Sequence, residues 1–423
     1  MQWQLIIFLV MIGVFMIGCF KLKLPVGIAM ALAAISGALV AGEGIPVRHL
    51  VEGTFGYLDA ILVISTAMIF MKAIQKSGTM DAISALIIKK FHHKPVLLLV
   101  CMTFVVMFPG MITGSSSAAV ITAGSLVTPV LLAMGVPMVE TAAIIAIAGL
   151  LGMIAPPVNI PVMIIGGGVD MPYSGFEVPL LLLTFPVAIF TTIFLGAKHV
   201  RDFNVDQLKG TIDFESHKQY GFRLYLPVLV LLGLMIATKA LPTLVPNLGL
   251  PLIFIIATLF SVTGKKFNIL QASKEAVHSA MPVLGILMGV GMFIQIMTLT
   301  GVRGYIVVNC LSMPPAMLYL AIAIAIPLFG AVSAYGSASV LGVPFLLALL
   351  TKDQILTASA LSLVAALGDL MPPTALAGLF AAKVVGVENY GDVLKKTVVP
   401  AVIIPTIAVL FIIFSKPIAS LIL

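Results

Sequence analysis

Charge is what this sequence has least of. Only 9% of its 423 residues are Asp, Glu, Lys or Arg, against about 25% in soluble domains. So few charges cannot cover a water-facing globule of this length, which disfavours soluble enzymes and nucleic-acid binders as classes. Cysteine is almost absent: Cys19, Cys101 and Cys310 stand alone inside apolar runs, with no disulfide or metal-ligand spacing. Catalytic signatures are missing too. There is no HExxH, no GxSxG and no Walker A pattern. No enzymatic activity and no cofactor are therefore expected, and an ATP-driven pump would need a partner ATPase. His92-His93 lies in a basic cluster and reads as a cytoplasmic edge, not a metal site.

What the chain does have is apolar surface: 61% of its residues are hydrophobic. A spanning helix needs about 20 apolar residues. Ten candidates lie near 3–20, 24–42, 56–75, 138–168, 177–198, 222–240, 248–264, 278–300, 355–386 and 394–415. The first has no basic segment before it and no evident cleavage site, so it reads as a retained helix and not a signal peptide. Two further apolar segments, about 94–134 and 315–350, are interrupted at Thr113-Gly114-Ser115-Ser116-Ser117 and at Ser333-Ala334-Tyr335-Gly336-Ser337. Each half is short for a comfortable span, so re-entrant helical hairpins are expected. Amphipathic stretches near 79–93 and 302–313 precede them. The fold class is thus an all-α polytopic membrane protein, with about ten transmembrane helices and two re-entrant hairpins in the lipid bilayer.

The basic residues fix an orientation. With the N-terminus outside and each hairpin returning to its own side, only Arg48, Lys239, Arg303, Lys352 and Lys416 fall outside, and the other eighteen of the 23 Lys and Arg fall inside. That bias predicts both termini on the outer side.

The halves resemble each other. FMKAIQKSG from Phe70 recurs as FIQIMTLTG from Phe293, and Pro156-Pro157 recurs as Pro372-Pro373. Each half holds five spans and one hairpin. Five is odd, so the second half enters the membrane inverted, the usual frame of a secondary transporter. The expected division is a first repeat over 1–198, a cytoplasmic linker over 199–222 and a second repeat over 223–423.

Irregular backbone is tolerated at membrane depth only where protein buries it or where it lines a cavity. Two consecutive prolines remove amide donors and should unwind about one turn. The freed carbonyls suit a small cation, and the next half-helix presents its N-terminus to an anion. A plain kink is the alternative. At the tips, Ser115, Ser116 and Ser117, and then Ser333, Gly336, Ser337 and Ser339, offer hydroxyls and close backbone approach. These suit a desolvated Na⁺ and a carboxylate substrate, or else serve tight helix packing. Ser116, Ser117, Asn159, Ser337 and Thr374 are the candidate substrate contacts, and Asn159 could equally cap a half-helix. Asp369, in an apolar run just before Pro372-Pro373, could bind a cation or carry a coupling proton, or cap a helix near the interface; its counterpart in the first half is Met153.

At the hairpins and Pro-Pro steps the chain resembles the large membrane (DctM-like) subunit of the tripartite ATP-independent periplasmic, or TRAP, transporters. The text that carries this is GMITGSSSAA over Gly110 to Ala119 with Pro156-Pro157-Val158, and GDLMPPTA over Gly368 to Ala375 followed by LAGLFAAKVVGV. The family commonly has aspartates where Ala119 and Ala334 stand, serine at Val158 and an apolar residue at Asp369. The resemblance implies an elevator-type permease in a bacterial inner membrane, importing organic acids such as C4-dicarboxylates or sialic acid with Na⁺ as coupling ion. It implies two partners, a small four-helix membrane subunit and a periplasmic substrate-binding protein. It places Na⁺ at Ser115, Ser116, Pro156 and Pro157, and at Ser333, Gly336, Pro372 and Pro373. A stand-alone ion-coupled organic-anion symporter, with proton coupling through Asp369, is the alternative.

Overall fold

The computed structural model describes residues 2–201, 219–241 and 243–422, and every regular element among them is a helix. The first half runs α1 (Gln2–Met16), α2 (Val26–Ala41), α3 (Val47–Phe55), α4 (Leu58–Lys76) and α5 (Thr79–Phe91). It continues with the hairpin arms α6 (Pro95–Thr113) and α7 (Ser116–Ala133), then α8 (Met138–Ile154), α9 (Ile160–Gly167) and α10 (Glu177–Gly196). The second half runs α11 (Leu226–Ala240), α12 (Gly249–Phe260), α13 (Ile269–Leu299) and α14 (Val302–Leu311). Its hairpin arms are α15 (Pro315–Gly330) and α16 (Ala334–Ala348), followed by α17 (Gln354–Ala366), α18 (Leu376–Val385), α19 (Tyr390–Ile413) and the short α20 (Ser415–Ile422). Most of the expected linker, 202–218, lies outside the described residues.

Among the described residues eight helices are long and apolar enough to cross a membrane. They are α1 with its π-helical extension, α4, α6, α7, α10, α11 (extended at its start), α13 and α19. The other four expected spans are there in shorter pieces. α2 has 16 residues and α12 has 12. The remaining two are split at Pro156-Pro157 and Pro372-Pro373, where both Pro-Pro peptide bonds are cis. Both arms of the first hairpin reach spanning length, so length alone does not set the hairpins apart from crossings. Two helices were not anticipated, α3 and α20. α13 also begins at Ile269, well before the expected start at 278, because a polar segment around Ser273-Lys274-Glu275 continues the helix beyond its apolar part.

The halves follow one plan. With an offset of 223 residues, α13 corresponds to α3 plus α4; the first half breaks this helix at Gly56-Tyr57 and the second does not. Glycine brings the long helix close to its neighbours. A Cβ on Gly289 would lie 2.2 Å from the Gly27 carbonyl oxygen, and one on Gly291 would lie 1.9 Å from that of Gly53. α13 of the second half is thereby seated on α2 and α3 of the first, as small residues allow between membrane helices. Each hairpin packs its first arm on its own broken helix in the same manner. A Cβ on Gly152 would meet Met107 O at 2.5 Å, and one on Gly368 would meet Gly330 O at 2.1 Å.

Candidate functional site

Each hairpin tip is a helix start capped by serine. Ser115 accepts a hydrogen bond from Ala118 N at 3.3 Å, and Ser333 accepts one from Gly336 N at 3.1 Å. These caps satisfy amides that a helix start leaves without partners. Both second arms then contain a π-helical turn, Val120–Gly124 and Ala338–Gly342, at the same distance from the cap.

Both expected breaks are present. α8 stops at Ile154 and α9 starts at Ile160, while a 3-10 turn at Leu367–Leu370 ends the first half of the second broken helix and α18 starts at Leu376. Each break bonds its own hairpin: Val158 N donates to Met111 O at 3.0 Å, and Thr374 Oγ1 donates to Ala331 O at 2.7 Å. Beyond this the two differ. Pro156 and Pro157 are buried, whereas Pro372 and Pro373 are exposed. In the first break Tyr173 donates to Pro157 O at 2.9 Å and accepts from Asn159 N at 3.1 Å. Asn159, fully buried, caps α9 by accepting from Val162 N at 2.9 Å, and its amide donates to Ile154 O and to Ser362 Oγ. Of the two roles open to Asn159, capping is the one its geometry displays. At the second break Tyr390 donates to Leu370 O, and α18 begins at Ala375 (φ 36°) with no side-chain cap.

The tip of the first hairpin meets the second half at two points. Ser116 donates to a carboxylate oxygen of Asp369, and Tyr335 at the start of α16 donates to Gly114 O at 2.9 Å. Gly114 sits at φ 63°, in the left-handed region that turns the chain between the arms. Two carboxylates are buried among the described residues. Glu140 has Lys396 at 2.9 Å. Asp369 has a hydroxyl and no ion pair among the described residues, in an interior where an isolated charge is costly. Ser116, Gly114, Tyr335, Asp369 and the second break therefore form one polar centre inside an otherwise apolar bundle.

The other candidates lie around it. Ser117 is half-buried and within 3.1 Å of Ser115 Oγ. Ser337 is fully buried and donates to Ile326 O at 2.6 Å, which ties the two arms of its hairpin together. Gly336 packs near Phe15 of α1, whose ring stacks on Phe329. Hydroxyl and carbonyl oxygens are the donor type a small hard cation takes. No group of three or more His, Cys, Asp or Glu able to hold a metal occurs among the described residues. A cleft of about 860 Å³ between α15 and α19 is apolar; it reaches Leu367, Leu370 and Met371 beside the second break and is lined by none of the tip serines.

Tyr173 and Tyr335 were not anticipated. Tyr335 interrupts an apolar segment, where a phenol seeks a partner for its hydroxyl, and that was an available signal; Tyr173, between Asp170 and Glu177, sits in a polar stretch that gave none.

The matches to known proteins agree with this architecture. Residues 12–418 match the family model of the tripartite ATP-independent periplasmic transporter, DctM component. The fold is similar to the YdaH transporter of Alcanivorax borkumensis, at 17% identity and TM-score 0.60, with 86% of each chain covered. It is also similar to MtrF of Neisseria gonorrhoeae, of a class of antimetabolite efflux pumps, at 15% identity and TM-score 0.58, covering 87% of this chain and 83% of that one. At such identities the likeness is one of fold. No curated protein matches the chain. The match over nearly its whole length makes this multi-pass membrane protein a member of the DctM component family of TRAP transporters.

Proposed function

We propose that this chain is the permease that imports a small organic acid anion across a bacterial inner membrane, driven by an ion gradient, with Na⁺ as the coupling ion and an elevator movement. The observation that carries the reading is the polar centre at Ser116, Asp369 and the exposed second break, set inside a bundle of the transporter family. The uncapped start of α18 offers free amides to a carboxylate. The hydroxyls and carbonyls of the tips offer oxygen ligands to Na⁺. In this reading the hairpins and broken helices carry the substrate as one unit against the other helices. A small four-helix membrane subunit and a periplasmic binding protein are the expected partners.

A second reading has its own support. Asp369 is a buried carboxylate with no basic partner among the described residues, which fits a proton as the coupling ion. One experiment separates the two. The purified chain is reconstituted in proteoliposomes, alone and with its partner proteins, and accumulation of radiolabelled organic acids is followed under a Na⁺ gradient and under a proton gradient. Accumulation driven by Na⁺ supports the first reading, and accumulation driven by protons alone supports the second. Accumulation by the chain alone would dispense with the partners. No accumulation in any arm would overturn the transport reading.

A further inference from the structure

The two hairpins act as controls for each other, because α7 and α16 share one backbone plan. Val120 corresponds to Ala338, an offset of 218 residues, and the π-helical turns coincide. Their surroundings do not. Ile121 is 48% exposed, whereas its counterpart Ser339 is 1% exposed. Ser125 is exposed, whereas Val343 is 1% exposed. The cause is a cleft of about 410 Å³ between α7 and the α4–α5 corner, lined by Gln75, Met80, Asp81, Thr122 and Ser125 among others. At the related place in the other half, α14 and α13 pack directly on α16.

The opposite side is pinned around a smaller cleft, about 250 Å³, that Tyr57 and Gly167 line. Tyr57, in the turn between α3 and α4, donates to Ile164 O at 2.9 Å, and its ring lies where a Cβ on Gly167 would come within 2.8 Å. Arg303, on α14, donates to Gly168 O at 2.6 Å. Two elements outside the hairpins and broken helices thus converge on the C-terminal end of α9, where the Ile164 carbonyl also accepts from Gly168 N at 3.0 Å. The residues at the related positions, an offset of 223 away, are Ala280 and Met80. Neither has a side chain able to make such a bond.

We infer that this conformation is open on the α5 side, that the cleft beside α7 is the vestibule through which substrate leaves, and that Tyr57 and Arg303 latch the opposite side shut. The inference rests on the transport reading above. The open side carries Lys72, Lys76, Lys89, Lys90 and Lys94, which marks it as cytoplasmic. The opposite state exchanges the roles of the halves: α7 packs against the α4–α5 corner, a cleft opens between α16 and α14, and the Tyr57 and Arg303 bonds break.

Cysteine accessibility tests this without relying on transport. Cys19, Cys101 and Cys310 are replaced by alanine, and Ser125→Cys or Val343→Cys is added singly. The proteins, in nanodiscs, are labelled with a membrane-impermeant maleimide. S125C is expected to label at least ~10-fold faster than V343C, since a minor state is populated at about 10% or less. Adding Tyr57→Phe and Arg303→Ala should raise V343C labelling ~10-fold and slow S125C, because one neutral and one charged hydrogen bond are lost. Equal labelling at the two sites, or a V343C rate unmoved by the latch variants, overturns the inference. If the cysteine-free chain does not fold, hydrogen–deuterium exchange on the wild-type chain replaces it: faster exchange over 121–126 than over 339–343 supports the asymmetry, and equal exchange overturns it. Absent uptake in the proteoliposome experiment removes the transport reading and the vestibule with it, whatever the labelling shows. A failed labelling pattern with uptake intact removes the vestibule alone.

Discussion

The two Pro-Pro breaks are built to one plan and finished differently. The first is sealed: its prolines are buried, Tyr173 bridges its free backbone groups, and Asn159 caps the helix that follows. The second is left open: its prolines are exposed, Ala375 supplies no cap, and the nearby Asp369 is held by a serine from the opposite half. At the positions related to Ser116 and Asp369 the chain has Ala334 and Met153. A repeated backbone therefore sets up two equivalent places, and the side chains seal one of them with hydrogen bonds and leave the other open beside a buried carboxylate.

The largest effect should come from disturbing the shared backbone. Gly368→Val puts a side chain 2.1 Å from the Gly330 carbonyl, where an overpacked contact costs ~1–3 kcal/mol or more. Loss of the monodisperse peak in detergent gel filtration is expected. A well-folded variant would show that the hairpin and its broken helix do not need this approach.

Next comes the chemistry of the open break. Asp369→Asn should cut ion-driven uptake ~10-fold or more while leaving the folded yield intact, as removing one charge-assisted contact of ~1.5–3 kcal/mol would. Combined with Ser116→Ala, its effect should be less than additive, because the two groups are in contact. Unchanged uptake in Asp369→Asn would remove the chemical difference between the breaks.

Asn159→Ala should act on stability alone, by ~1 kcal/mol for a lost cap, with the KM for substrate unmoved. Thermal unfolding and uptake kinetics on one preparation would check both; a raised KM would make the sealed break a binding site as well. Tyr335→Phe removes one neutral bond to Gly114 and should cost ~0.5–1.5 kcal/mol in the same unfolding assay. The smallest change belongs to Lys72→Ala. Its ion pair with Glu275, at 3.1 Å, is solvent-screened and joins α4 to α13, and Lys76 at 3.5 Å keeps a cation on the same carboxylate, so the unfolding temperature should scarcely move.

Much of this arrangement was legible in the sequence, and the residues show why. Pro156-Pro157 and Pro372-Pro373 announce breaks because proline lacks the amide a helix needs, and the serine runs announce caps. α3 was not legible. Its Arg48 and Glu52, which pair at 2.7 Å along the helix, interrupt the apolar run that marks a span. The Ser116–Asp369 contact was not legible either. The polarity of each residue stood out, but nothing in a single chain of letters says that a hairpin tip reaches a break in the other half. Asn159 was read with two roles open, since a cap and a ligand use the same amide and only the position of Val162 N distinguishes them.

The glycine seam of α13 has a consequence for how the protein is made. α2 and α3 present Gly27 and Gly53 to a helix synthesised many segments later, against which their backbones come to rest. While the first half waits in the bilayer, those bare glycine faces have only lipid beside them, and nothing in that half supplies the missing surface. Final docking must follow insertion of α13. A ribosome stalled before that helix would leave behind a set of spans whose Gly27 and Gly53 approaches are unmade.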